Sequence, residues 1–329
     1  MRLIRGLAVL LIGSALLTAC ASTDSGADGG DGAISSSNWP AEPITYLIGF
    51  APGGGNDRLA RLQQPILQEL LGQNVNIEYM EGAGGAVGWK AIADASADGY
   101  MITVSSLPQN IVQPLLPDAL YTADDIKTVA IVQGSALGLV VPPDSPYTSL
   151  DELLAAARAN PGTLTIGGTG SFTASNLLTL RLQELTDTSF EYVSFEGGSA
   201  QITAFLGGQV DAIVTDAGDF AAYKDEGTML AISSEDSYFY YPDVPTFTEQ
   251  GVELVQYTER GLGVAADTPD EIVAKLEEAV LAAANDESVK AAIEEQAGLT
   301  FTLGADDAAE RIAEETAIYT PLVEEALEQ

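Results

Sequence analysis

The chain contains no histidine. That removes Ser-His-Asp and Cys-His nucleophile arrangements, and every zinc or iron site that needs an imidazole ligand. Cysteine is nearly as scarce. Cys20 is the only one, so no intrachain disulfide and no thiolate metal site can form. Basic residues are few, 13 Lys and Arg against 48 Asp and Glu, for a formal charge of −35. That balance argues against a nucleic-acid partner, because binding a phosphate backbone takes clustered cations. Neither Gly-x-Ser-x-Gly nor Ser-x-x-Lys occurs, so two further serine-nucleophile layouts are missing. The paired acids Asp124-Asp125, Asp225-Glu226 and Asp306-Asp307 sit in helix-start or turn contexts, where they read as caps and solvated faces. These absences point to a protein that binds its ligand without turning it over, with no metal and no cofactor.

Long apolar runs are also rare. The one at the N-terminus, residues 7–17 behind Arg2 and Arg5, is short for a membrane span and suits a signal sequence. It ends Leu17-Thr18-Ala19-Cys20, which resembles a bacterial lipobox, in which the cysteine is acylated and becomes the new N-terminus. The alternative is an ordinary cleaved signal with an incidental cysteine. On the first reading residues 1–19 are a lipoprotein signal peptide and Cys20 is lipidated. Residues 20–38, mostly Ser, Gly, Ala and Asp, are then a lipidated flexible tether. The expected location is extracytoplasmic, at a membrane surface. About 290 residues remain, enough for two lobes of ordinary size. Acidic pairs such as Glu277-Glu278, Glu294-Glu295 and Glu314-Glu315 read as a solvated surface that keeps a secreted protein soluble; a saline habitat is the other reading. Such a surface repels anions at long range, but physiological salt screens this beyond roughly 8 Å, so a local nest of N–H donors can prevail.

Such a nest is present. The apolar run Ile44-Thr45-Tyr46-Leu47-Ile48 leads into Phe50-Ala51-Pro52-Gly53-Gly54-Gly55-Asn56-Asp57, and a helical pattern leaves near Asp57 and runs to Leu71 with a kink expected at Pro65. Strand, glycine loop and helix start together point backbone N–H groups and a helix dipole at one spot, which suits an anion. Nucleotide phosphate is a poor candidate for it. The loop ends Asn56-Asp57-Arg58 where a P-loop needs Gly-Lys-Ser/Thr, and Gly-x-Gly-x-x-Gly is absent here and in Gly82–Gly88. Further on, a strand at Val75–Tyr79, a helix at Gly88–Ala95 and a strand Met101–Val104 are expected, with Ser105 and Ser106 following the strand's C-terminal end. Ligands collect at that edge in open parallel sheets, though a hydroxyl turn accounts for the serines equally well.

About 110 residues later the layout repeats. Leu164-Thr165-Ile166 reads as a strand, Gly167-Gly168-Thr169-Gly170-Ser171 as a glycine loop and Thr173–Leu185 as a helix. A third unit follows, from Tyr192 through Gly197-Gly198-Ser199 into a helix that stops at Gly207-Gly208, then a strand ending at Thr215-Asp216. Ser199 and Asp216 either cap helices or touch ligand. The repetition predicts two similar α/β lobes whose helix N-termini face one cleft, a geometry suited to a carboxylate. Taken singly, each loop also reads as a plain strand-to-helix connection.

Several of these motifs occur in a set order: Phe50-Ala-Pro-Gly-Gly-Gly-Asn-Asp57, Gly82-Ala-Gly-Gly85, Asp98-Gly-Tyr100, Leu206-Gly-Gly-Gln-Val-Asp211, Pro242-Asp-Val-Pro-Thr246 and Arg260-Gly-Leu-Gly-Val-Ala-Ala-Asp-Thr-Pro269. Over about residues 39–329 the chain resembles the substrate-binding proteins of tripartite tricarboxylate transporters, the Bug family. The resemblance implies an α/β fold of the type II periplasmic-binding-protein kind, two lobes with central sheets joined by crossing strands. Lobe 1 would comprise 39–141 plus 261–329 and lobe 2 would comprise 142–260, with the C-terminal helices packing on lobe 1. It also implies a monomer that closes over a small organic acid and hands it to integral-membrane permease subunits. The alternative job on the same fold is a ligand-sensing lipoprotein for a membrane signalling kinase. Carried over by position, Gly54, Gly55, Asn56 and Asp57 form one wall, with Pro52 in the same loop and Ser106 beside it. Gly170, Ser171 and Ser199 form the other, with Thr169 and Asp216. Carboxylates would be held by backbone, hydroxyls and bridging water without a dedicated arginine clamp, and Asp57 would accept from a ligand hydroxyl or ammonium. Two positions depart from the family pattern: Asn56 stands where a small residue is frequent, and Phe195-Glu196-Gly197 replaces Tyr-Lys-Gly. The second departure favours an amino-bearing or less charged acid, unless Glu196 faces solvent.

Overall fold

The computed structural model describes residues 38–328. The expected signal peptide, Cys20 and nearly all of the expected tether lie outside them.

Each half of the molecule is built on a parallel three-stranded unit. In the first half β1 (Ile44–Ile48) is central, flanked by β2 (Val75–Tyr79) and β3 (Met101–Leu107). Between them run α1 (Gly55–Leu71), which continues through Pro65, and α2 (Ala86–Ala93). β1 is apolar at nearly every position because it is covered on both faces, whereas edge strand β2 buries Val75 and exposes alternate residues. On α1, Leu59, Gln63 and Leu67 recur at four-residue spacing and are buried, and Gln63 accepts a hydrogen bond from Tyr46 Oη at 3.1 Å.

The short α3 (Gln109–Val112) follows, and then β4 (Ile126–Val141), a 16-residue strand that serves both halves. From Ile126 to Ala136 it pairs antiparallel with β9 (Tyr257–Ala265), itself paired to β3. From Leu137 onward it pairs with β7 (Ala212–Asp216) and β8 (Thr228–Ile232). The second half begins with α4 (Leu150–Ala159), whose Ser149 cap accepts from the Glu152 N–H. It then places β5 (Thr165–Thr169) between β7 and β6 (Glu191–Phe195). The helices α5 (Ala174–Thr186), α6 (Gly198–Leu206) and the single-turn α7 (Ala217–Phe220) complete this half. The order β2-β1-β3 is thus repeated as β6-β5-β7. In both units the loop leaving the central strand lies at the point where connections diverge, the place where open α/β sheets receive ligands.

The C-terminal segment returns to the first half. In α8 (Asp270–Asn285), Ile272, Leu276 and Val280 join Ile44, Ile48, Leu59 and Leu67 in one core. Each fully buried aliphatic side chain of that kind contributes about 1.5–3 kcal/mol. After α9 (Glu287–Glu295) and β10 (Leu299–Leu303), α10 (Ala305–Glu328) packs Ala308, Tyr319 and Val323 against Leu107, Ile111 and Ile131. The same cluster takes in Leu177 of α5, so α10 touches both halves as well as packing on the first.

Two local expectations need correcting. Ser105 and Ser106 lie within β3, paired to Gly261 and Arg260 of β9, and do not follow the strand. Gly167, Gly168 and Thr169 lie within β5, paired to Val193, Ser194 and Phe195. Glycine is needed there for space: a Cβ on Gly168 would stand 2.1 Å from Tyr192 Oη and 2.7 Å from Ser175 Oγ. The first part of the expected glycine loop is therefore a strand pared down to let bulkier neighbours cross it.

Candidate functional site

A cavity of about 760 Å³ lies between the halves. One wall comes from the β1–α1 loop and the Gly82–Gly85 segment; the other comes from the β5–α5 and β6–α6 loops and the end of β7. The helices α1, α5 and α6 all begin on this cavity, at Gly54, Thr173 and Gly197, and none has its first turn capped by a side chain. Of the longer helices that begin elsewhere, α4 and α9 are capped by Ser149 and Asp286, while α8, which starts behind Pro269, has no side-chain cap. A helix leaves its first N–H groups without intrahelical acceptors, so three such starts supply donors and positive dipole ends to one space.

Among the residues singled out from sequence, Pro52, Gly54, Gly55 and Asn56 line the first wall. Thr169, Gly170, Ser171, Ser199 and Asp216 line the second. Two do not line the cavity. Asp57 is 3 % exposed and turns back on its own loop, accepting from the Gly53 N–H at 2.7 Å, Tyr79 Oη at 2.7 Å and Arg61 Nε at 2.8 Å. Burial alone would raise its carboxyl, but the bonds from Tyr79, Gly53 and Arg61 prevail and hold it below the usual carboxylate range. Ser106 lies behind Asn56, whose Nδ2 donates to its Oγ at 3.0 Å.

Two arginines that carry no role in the sequence-based expectations, Arg260 and Arg58, tie the walls together. Arg260 of β9 donates from Nε to Asn56 Oδ1 at 3.0 Å and from Nη2 to Asp216 Oδ2 at 2.9 Å, so it links the start of α1 to the end of β7. Gly55 is glycine for this reason, since a Cβ there would come within 2.5 Å of Arg260 Nη2. Ser135 Oγ and the Gly218 N–H donate to the other Asp216 oxygen. Burial lifts the Asp216 carboxyl, but the Arg260 charge and the Ser135 hydroxyl outweigh it and the net direction is down. Nearer the mouth, Arg58 donates from Nη1 to Gly53 O at 3.0 Å and from Nη2 to Asp219 Oδ1 at 2.9 Å. Burial and the neighbouring Asp216 push the Asp219 carboxyl up despite Arg58. In the second wall Ser175 Oγ accepts from the Thr169 N–H at 2.9 Å and Tyr192 Oη donates to Gly170 O at 2.9 Å, fixing the β5–α5 turn. One sequence signal for Arg260 was available: Glu259-Arg260 is a charged pair leading into the uncharged run Gly261-Leu262-Gly263-Val264-Ala265, and charges carried into a buried strand need partners.

A sequence model of the tripartite tricarboxylate transporter family receptor matches residues 59–327. The chain belongs to this family. BugT of Bordetella pertussis is 33 % identical over 223 residues, 66 % of this chain and 68 % of that one. The UPF0065 protein in the gbd 5′ region of Cupriavidus necator is 32 % identical over 243 residues, 73 % of this chain and 74 % of its own. MatC of Rhodopseudomonas palustris, solved with bound malate, superposes with a TM-score of 0.80 at 26 % identity, covering 87 % of this chain and all of that one. The two-lobed periplasmic-binding fold follows from these matches and from the topology. As a member of the tripartite tricarboxylate transporter receptors, the chain is a solute-binding protein and not an enzyme. Among the described residues no helix is long and apolar enough to cross a membrane.

Proposed function

We propose that this receptor captures a small organic carboxylate in the cavity between its lobes, outside the cytoplasm, and delivers it to the permease subunits of a tripartite transporter. The observation that carries this reading is the convergence of three helix starts without side-chain caps on one cavity of about 760 Å³. Backbone N–H groups at helix starts are suited to a carboxylate, and MatC, of the same fold, holds malate. In this reading lobe 1 comprises 39–141 plus 261–329 and lobe 2 comprises 142–260, and the receptor is a monomer. The ligand meets Pro52, Gly54, Gly55 and Asn56 on one side and Thr169, Gly170, Ser171 and Ser199 on the other. Asp216 borders the same space while holding Arg260. Asp57 and Ser106 act one step back, fixing the loop and Asn56. Lipid on Cys20 behind a cleaved signal keeps the receptor beside its permease.

Calorimetry of the purified protein against a panel of mono-, di- and tricarboxylates tests capture. Saturable one-to-one binding of at least one acid is expected, weakened at least about tenfold by the Ser171→Ala, Ser199→Ala double substitution. Absence of binding across the panel, with no acid co-purifying by mass spectrometry, would falsify it. Cys20→Ala should move the protein from the membrane to the soluble fraction, and an unchanged distribution would rule out the anchor.

A further inference from the structure

The charges of the cavity restrict which carboxylate it takes. Both guanidinium groups on its wall are already engaged: Arg58 with Asp219 and Gly53 O, Arg260 with Asp216 and Asn56. Beyond these matched pairs the lining carries two more carboxylates, Glu81 from the first half and Glu196 from the second, both exposed. What remains for an anion is backbone N–H groups and neutral hydroxyls such as those of Thr169, Ser171 and Ser199, none of which carries a full charge. Each helix N-terminus is equivalent to roughly half a positive charge, so the three together amount to roughly one and a half, enough for one ligand carboxylate but not two, and the two unmatched glutamates work against a second. An additional carboxylate enclosed there without a cation partner bears an uncompensated desolvation cost.

The rest of the wall mixes neutral polar side chains, such as Gln109, Gln113 and Thr258, with apolar and ring-bearing ones. Phe50, Phe172, Phe195 and Tyr223 all line the cavity. Phe50 is braced edge-on by the buried Trp89, with ring centroids 5.7 Å apart. Tyr223 leaves 40 % of its surface uncovered at the rim. A volume of about 760 Å³ falls in the range of roughly 300–1,000 Å³ that encloses ring-bearing, drug-sized ligands. A compact polyacid gains nothing from such rings, whereas an aromatic or alicyclic body buries apolar area against them.

We infer that the preferred ligand is a monocarboxylate with an apolar, ring-sized body, and not a compact di- or tricarboxylate. This rests on the carboxylate-capture reading above. The test is calorimetry on the purified protein at neutral pH with benzoate, phenylacetate, L-malate, succinate and citrate. Benzoate or phenylacetate should bind at least about tenfold more tightly than any of the three polyacids. Glu196→Lys, an exposed change that leaves the core untouched, should strengthen malate binding at least about threefold at low salt, and benzoate binding less. Equal or tighter binding of a polyacid by the unaltered protein, or no gain for malate in the variant, overturns the inference and leaves carboxylate capture standing. If none of the five acids binds, the inference falls, and carboxylate capture is decided by the wider panel and by what co-purifies.

Discussion

At the scale of single residues, one strongly perturbed acid lies away from the cleft. Glu315 of α10 is 9 % exposed, and its Oε2 has no hydrogen-bond partner among the described residues. Burial and the neighbouring Glu259 push its carboxyl up to about 8, while Arg311 and Arg181 pull the other way and Glu314 adds to the rise. Glu259 is raised as well, chiefly by burial; Arg311 Nη1 stands 3.4 Å from its Oε1. The sign for stability follows from which state holds the proton. Below the unfolded value of about 4.5, both states are protonated and the contribution is complete. As pH rises towards 8 the unfolded chain releases a proton that the folded protein keeps, so stability declines through that window, by an amount on the order of a few kcal/mol. Glu315→Gln keeps the shape of the protonated acid and removes the titration. It should flatten the decline of Tm between about pH 5 and 8 and raise Tm more at pH 8 than at pH 5 by scanning calorimetry. Parallel Tm profiles for the two proteins would count against this.

At the scale of elements, the site depends on how closely the first turn of α1 approaches β9. Gly55→Ala places a Cβ within 2.5 Å of Arg260 Nη2 and must move the guanidinium off Asp216 or Asn56. Breaking a buried pair costs several kcal/mol when one charge is left unpartnered, and somewhat less when side chains re-form it nearby. The variant should lose about 2 kcal/mol in urea unfolding and about tenfold in ligand affinity; a loss under about 0.5 kcal/mol would show that Arg260 finds another seat. The sequence made the Gly53–Gly55 loop readable, because strand, glycine and helix signals are local and agree. It also gave β2 with its observed bounds, and it gave the repeat behind the β6-β5-β7 unit. It misread Gly167 and Gly168 because the reason for those glycines lies across the sheet, in Tyr192 and Phe195. Arg260 went unassigned for a similar cause. Its partners, Asn56 and Asp216, lie 204 and 44 residues away, and no local pattern records such distances. Asp57 sits beside the cavity in sequence, yet the helix turn carries its side chain onto Gly53 and Tyr79.

At the scale of the whole molecule, the walls of the cavity are joined by two ion pairs of unequal depth. Arg260–Asp216 is 9 % and 10 % exposed, close to the point where β4 passes between sheets; Arg58–Asp219 is 29 % and 21 % exposed, nearer the mouth. Opening the lobes about β4 and β9 separates the outer pair further than the inner one, simply because it lies further from the axis. Arg58 also holds Gly53 O through its other terminal nitrogen, a bond within the first wall that does not need Asp219. A partly exposed pair is worth about 0.2–1 kcal/mol, which changes an open-to-closed ratio by up to about fivefold. Asp219→Asn, and separately Arg58→Gln, should therefore shift the unliganded protein towards the open form, read as a larger radius of gyration in small-angle scattering. The double variant should do no more than either single one, because both remove the same contact. Added salt should move the unaltered protein in the same direction, since screening weakens an exposed pair. In a chain of net charge −35 salt also relieves general repulsion between the lobes, which favours closure. The two effects separate in the double variant, where the outer pair is gone and salt can only close the cleft. Scattering curves that coincide for the unaltered protein and both single variants at low salt would show that the outer pair does not hold the lobes together.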